Sequence, residues 1–176
     1  VLFPRGGVSP RQEQQLTCWD DNVESFSVTG TFDDCQRLTK ELFGESEWPV
    51  GAHLTSANSI NIGRLLPQAV YAAWAAVAYR SQHGATPAFV VPSGNLGNVV
   101  GVYWAKHMGF PVGDIVIATN ANAVVPEWFA TGEWNPRPSV RTLANAMDVG
   151  DPSNMERLLH LFEGNPSLRD GSQATS

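Results

Sequence analysis

The chain has 176 residues, 43% of them hydrophobic and 16% charged, with a formal net charge of -6. That length supports one domain with its own core, and an acidic balance without a basic patch argues against nucleic acid and anionic membrane surfaces as partners. No apolar segment is long enough to span a bilayer, and Cys18 and Cys35 lack metal-ligand spacing, which reads as reduced thiols in a cytoplasmic protein with no metal site.

Val1-Leu2-Phe3 reads as a strand already under way, so the chain is expected to be a piece of a larger protein. After a glycine turn, Ser9 is a suitable N-cap and Pro10 a suitable first helical residue, giving a short helix over 12–19. A turn at Asp20, Asp21 and Asn22 leads to a strand over 23–28. Thr31 then caps a helix whose first turn carries Asp33 and Asp34, with Phe32, Cys35, Leu38, Thr39 and Leu42 as its buried stripe and Glu41, Gly44, Glu45 and Glu47 as a solvated end. A strand over 50–55 follows. Ile62, Leu65, Leu66, Ala69, Val70, Ala73 and Val77 recur at helical spacing, and Pro67 inside the pattern predicts a kink or a short first segment.

A buried strand over 88–91 ends at Pro92. Residues 93–98 form a glycine- and asparagine-rich loop, and from Asn98 the helical spacing of Val99, Val102, Tyr103 and Met108 runs to a stop at Gly109. Residues 114–119 read as a strand, Asn120-Ala121-Asn122 as a turn at its carboxyl end, 124–130 as a short helix, 131–138 as a loop and 142–147 as a strand. A last helix starts around Asp151-Pro152-Ser153-Asn154, with Met155, Leu158, Leu159 and Phe162 inward. The polar residues 165–176 are expected to form a flexible tail. Alternating strands and helices predict an α/β fold with a parallel β-sheet flanked by helices in three layers.

Two places carry chemistry. Strand, glycine loop and helix in succession point backbone N–H groups and a helix N-terminus at one spot, which is an anion site and most often one for phosphate. The plain alternative is a tight turn. The loop lacks the third glycine of the dinucleotide fingerprint and the Gly-Lys-Ser/Thr of a Walker loop. The second place is Asn58, Asn61 and Arg64, two amides and a guanidinium at a helix N-terminus, a set suited to bidentate phosphate binding. Here the alternative is that Asn58 or Ser59 caps the helix and Arg64 pairs with a surface acid.

Several segments together carry a family resemblance. Ser93-Gly94-Asn95-Leu96-Gly97-Asn98 resembles the phosphate loop of fold-type II pyridoxal phosphate enzymes, in the form found in the threonine synthase family. Phe3-Pro4-Arg5-Gly6-Gly7-Val8-Ser9-Pro10-Arg11-Gln12, Gly30-Thr31-Phe32-Asp33-Asp34-Cys35-Gln36, Ser56-Ala57-Asn58-Ser59-Ile60-Asn61 with Arg64 and Gln68, Arg137-Pro138-Ser139-Val140 and Met147-Asp148-Val149-Gly150-Asp151-Pro152-Ser153-Asn154 resemble further segments of that family in the same order.

The resemblance implies a segment of an enzyme that converts O-phosphohomoserine and water to threonine and phosphate with pyridoxal 5'-phosphate. Residues 1–164 are then an α/β segment of the catalytic region, covering parts of its small and large subdomains. Ser93, Gly94, Asn95, Leu96, Gly97 and Asn98 are implied to hold the cofactor phosphate, mainly through backbone N–H groups. Asn58 and Arg64 are implied to bind the substrate phosphate. Three departures stand out: Gly7 replaces a usual Arg, Ala123 replaces a frequent Asp, and neither Lys40 nor Lys106 has the context of the cofactor lysine, which is expected upstream of Val1. Two alternatives stay open, a related phospho-lyase giving 2-oxobutanoate and phosphate, and a non-catalytic module for binding a phosphate ligand or for assembly.

Overall fold

A computed structural model describes residues 1–19, 22–44, 55–164 and 172–175. The turn expected at Asp20 and Asp21, most of the strand expected over 50–55 and the solvated Glu45 and Glu47 lie outside the described residues. The chain divides into two compact units, Val1–Leu54 and Thr55–Ser176.

In the first unit, β1 (Leu2–Pro4) pairs in parallel with β2 (Phe26–Val28), in the register Leu2↔Phe26 to Pro4↔Val28. The helix between them, α1 (Pro10–Thr17), starts two residues earlier than expected. Ser9 Oγ accepts from Gln12 N–H (3.3 Å), and Gln12 Oε1 accepts from Ser9 N–H (3.0 Å), so two otherwise orphaned donors are satisfied reciprocally. Helix α2 (Phe32–Gly44) begins the same way: Asp34 Oδ2 accepts from Thr31 N–H at 2.7 Å, and those bonds hold the Asp34 carboxyl below the usual carboxylate range. Its stripe is narrower than predicted. Cys35 is buried, while Phe32 and Leu42 are exposed.

The second unit is built on the parallel sheet β3 (Phe89–Pro92), β4 (Ile115–Ala118) and β5 (Ser172–Thr175), in that order. The β3–β4 connection contains α4 (Gly97–His107), the crossover that a parallel pair requires. Gly109 follows with φ +89°, a backbone state that suits glycine and ends the helix. The β5 strand lies within the stretch expected to be a flexible tail. Strand pairing uses backbone groups alone, so polar composition did not prevent a third strand at this edge.

Helix α3 (Ile62–His83) runs unbroken through Pro67. Pro67 is the sixth helical residue, past the donors that a helix start leaves unpaired, so the helix runs on with the bond to Gly63 O missing. Its buried face is Leu65, Ala69, Ala72, Ala73 and Ala76, whereas Ile62, Leu66, Val70 and Val77, assigned inward from their spacing, are exposed. Small residues allow close approach. A Cβ at Gly101 of α4 would lie 2.8 Å from Gln68 Cβ and 3.2 Å from Ala69 N, so the two helices meet through Gly101.

Helices α5 (Val124–Thr131) and α6 (Met155–Gly164) complete the unit. The core joins Tyr103 and Val99 of α4, Ile115 and Ile117 of β4, Trp128 of α5, and Met155, Leu158 and Phe162 of α6. The predicted strand over 142–147 is absent and a 3-10 turn, Asn145–Met147, lies there instead. Asp148 takes the donors that a strand would have given to a neighbour: its carboxylate accepts from Thr142 N–H (2.9 Å), Thr142 Oγ1 (2.6 Å) and Asn120 Nδ2 (2.7 Å).

Candidate functional site

The loop at 93–98 leaves the carboxyl end of β3 and enters α4, the position where open α/β sheets place ligands. Ser93 N–H still donates to Ala118 O of β4 (2.9 Å). Ser93 Oγ, buried, donates to Asn98 Oδ1 (2.6 Å) and accepts from Leu96 N–H (3.0 Å). Asn98 Nδ2 returns to Pro92 O (2.8 Å). The loop is therefore braced by its own side chains.

The left-handed residue is Leu96, at φ +61° and ψ 7°, and neither glycine of the loop has positive φ. A left-handed Leu is uncommon and costs energy. Full burial of its side chain in the core holds it there. The glycines serve close approach instead. A Cβ at Gly94 would meet Met147 Cα at 2.8 Å, and one at Gly97 would meet Leu65 Cδ2 and Ser59 Cβ, both at 3.0 Å.

Among the described residues, the backbone N–H groups of Gly94, Asn95, Gly97 and Asn98 have no hydrogen-bond acceptor, whereas those of Ser93, Leu96 and Val99 do. Four free donors around a left-handed residue at the start of an 11-residue helix form the setting in which backbone binds anions.

The second candidate group adjoins this loop. Asn95 Nδ2 donates to Ser59 Oγ at 2.8 Å, and Ser59 Oγ donates to Asn58 Oδ1 at 3.2 Å. The helix cap is Asn61, whose Oδ1 accepts from Gly63 N–H (2.9 Å), so Asn58 and Ser59 are not the cap. Arg64 lies in the first turn of α3, exposed, and no acid within ion-pair distance faces it among the described residues. The Asn58 segment and the loop are thus brought together, and Arg64 keeps a guanidinium open to solvent.

Lys106 is half-buried, with its ammonium donating to Gly113 O (2.7 Å) near the far end of α4. The turn after β4 is set by Asn122, whose Oδ1 accepts from Val140 N–H (2.7 Å). Arg137 pairs with Glu127 and holds that carboxyl below the usual range. Among the described residues no cluster of three or more His, Cys, Asp or Glu could hold a metal, and no helix is long and apolar enough to cross a membrane.

Sequence reasoning gave no role to Ser59 beyond a possible cap and none to Ser153, Asn154 or Arg157, which contact the loop or the 59–60 segment. The run Met147-Asp148-Val149-Gly150-Asp151-Pro152-Ser153-Asn154 was visible as a motif, but spacing alone could not show what it touches.

A family model described as "Pyridoxal-phosphate dependent enzyme" matches residues 1–167. Threonine synthase of Serratia marcescens is 42% identical over 163 residues, covering 92% of this chain and 38% of that enzyme. The crystal structure of threonine synthase from Escherichia coli superposes with a TM-score of 0.88 at 40% identity, over 99% of this chain and 41% of that one. A pyridoxal phosphate-bound threonine synthase from Brucella melitensis gives a TM-score of 0.75 at 37% identity, over 97% and 37%. The chain thus spans less than half the length of the relatives it matches.

Proposed function

The chain belongs to the pyridoxal-phosphate dependent enzyme family, and from that premise we propose that it is a segment of a threonine synthase, converting O-phosphohomoserine and water to threonine and phosphate in the cytoplasm. The observation that carries the reading is the set of four unpaired N–H groups in the 93–98 loop, tied through Asn95 and Ser59 to the segment holding Asn58. Residues 1–164 would supply parts of the small and large subdomains of the catalytic region.

The loop suits a phosphate. Its backbone donors are free, a Cβ at Gly94 would clash with the Met147 backbone, and one at Gly97 would press on Leu65 and Ser59. Gly94, Asn95, Gly97 and Asn98 would hold the cofactor phosphate through N–H groups, with Ser93 and Leu96 fixing the backbone that presents them. Bound pyridoxal phosphate supplies an electron sink for carbanion chemistry on the amino-acid substrate.

The chain's own contribution to the reaction is at the substrate phosphate. Asn58 donates through its amide, and the Arg64 guanidinium, free of any described acid, binds the phosphate bidentately. Because that phosphate is also the leaving group, Arg64 stabilises the charge that grows on it as the C–O bond breaks. Arg64 is preorganised for this to the extent that the helix turn carrying it is capped by Asn61. The cofactor lysine is not assigned to any residue here. About 12 Å of helix rise separates Lys106 from Asn98 at 1.5 Å per residue, and we read the 176 residues alone as inactive.

In the protein carrying this segment, Arg64→Ala is expected to lower kcat/KM for O-phosphohomoserine by about tenfold or more, with part of the loss in kcat because the charge it stabilises grows as the bond breaks. Phosphate release against substrate concentration measures it. An unchanged kcat/KM removes Arg64 from the site, and a protein that takes up no pyridoxal phosphate overturns the reading as a whole.

A further inference from the structure

Asn154 precedes α6 and is completely buried. Its carboxamide has a distinct partner on each side. Nδ2 donates to Ser59 Oγ (3.1 Å) and to Asn95 O (2.8 Å), and Oδ1 accepts from Arg157 Nη1. Arg157 Nη2 in turn donates to Ile60 O (2.7 Å). On the loop side, Asn95 donates from Nδ2 to Ser59 Oγ (2.8 Å), and its Oδ1 accepts from Ser153 N–H (2.6 Å) and Ser153 Oγ (3.0 Å). One closed set of hydrogen bonds therefore joins the loop at 95, the segment at 58–60 and the start of α6.

The carboxamide can sit in only one orientation. Turned over, its oxygen would face the Asn95 carbonyl and its NH2 would face the Arg157 guanidinium. Nor is this network needed to anchor α6, whose Met155, Leu158 and Phe162 are already buried in the core. Its specific effect is to fix the Ser59 hydroxyl and the Asn95 side chain. Those two groups link the loop to Asn58.

We propose that Asn154, clamped by Arg157, is a positioning residue that locks the Asn58–Ile60 segment onto the phosphate loop and so couples the cofactor anion site to the substrate anion site. The inference rests on the assignment of those two sites made above. An anion that orders the backbone at 94–98 also orders Asn95, and through Ser59 it orders the segment awaiting the second anion. The second ligand then meets a site whose conformational cost has already been met, which makes the coupling positive and reciprocal.

The test uses the purified protein carrying this segment and n-butylphosphonate, an anion without an amine to react with the cofactor. The dissociation constant of pyridoxal phosphate is measured with and without saturating n-butylphosphonate. In the wild type the phosphonate is expected to tighten the cofactor about tenfold. Asn154→Asp, which turns two donors into acceptors at nearly constant volume, is expected to bring that ratio close to one. Arg157→Lys, which cannot reach both Asn154 Oδ1 and Ile60 O in a fixed fork, serves as a second variant that keeps the carboxamide. Variants that melt earlier but keep the wild-type ratio overturn the proposal and leave Asn154 purely structural. A phosphonate that weakens cofactor binding in the wild type also overturns it, because the two anions then compete for one site. A wild type that binds no pyridoxal phosphate overturns the underlying function instead.

Discussion

Phe162→Ala is expected to destabilise the second unit by about 3–5 kcal/mol, the range for removing a buried aromatic side chain. Phe162 is 5% exposed and touches three rings. Its centroid lies 5.2 Å from that of Tyr103, edge to face at 81°. Trp128 stacks parallel to it at 6.1 Å and Phe129 lies edge to face at 6.2 Å and 70°. These rings come from α4, α5 and α6, so one truncation opens a cavity that three helices border. None can refill it without moving a helix, because Tyr103 is itself completely buried. Chemical unfolding of wild type and variant measures the loss. Trp74→Ala gives the control: that ring is 73% exposed on α3, and its removal is expected to stay within about 0.5 kcal/mol. A loss at Phe162 no larger than that at Trp74 would show that the aromatic cluster does not hold the unit together.

Gly94→Val is expected to weaken pyridoxal phosphate binding about a hundredfold, the upper range for forcing extra carbons into a packed site. The clash is with backbone. The added Cβ would stand 2.8 Å from Met147 Cα, 3.0 Å from Met147 O and 3.1 Å from its carbonyl carbon. No side chain there can rotate away, so either the 3-10 turn at Asn145–Met147 or the loop must move. The turn is tethered through Asp148 to Asn120 and Thr142. The loop, held by Ser93 and Asn98 but with four N–H groups unbonded, gives way first, and those donors lose their alignment. A titration followed in the visible band of the cofactor measures the change, and the melting temperature shows whether the fold persists. Wild-type affinity in a folded variant would remove the loop from cofactor binding.

The β3–loop–α4 unit was legible because three local signals agree: an apolar run, then Pro, Gly and Asn, then helical spacing. The inward face of α6 was legible for the same reason, with Met155, Leu158 and Phe162 buried as spaced. The face of α3 was legible only in part: Leu65, Ala69 and Ala73 are buried as spaced. That helix is apolar all round, and counting large residues selected Ile62, Leu66, Val70 and Val77, which are exposed. The partner helix approaches at Gly101 and therefore selects alanine. Contact distance decided the outcome, and a single helix pattern does not contain it. The left-handed position at Leu96 was hidden similarly, since propensity favours glycine there and core burial overrides it. In the candidate site, loop and helix start could be read directly, but the bonds among Ser59, Asn95 and Asn154 join residues up to 95 apart in sequence.

That separation also sets a schedule for the growing chain. At about 5–20 residues per second of synthesis, Asn154 is made about 5–20 s after Ser59. Helices α3 and α4 can form in that interval because their hydrogen bonds are local, and the parallel β3–β4 pair, slower to close, still has seconds in which to do so. The link from Ser59 to α6 cannot form, nor can β5 add to β4 through Ile115↔Ser172. The link between the loop and the Asn58–Ile60 segment is thus among the last parts of the unit to be finished. A ligand that needs the finished site cannot nucleate folding. It can only hold the completed fold against reopening, by an amount that grows with ligand concentration.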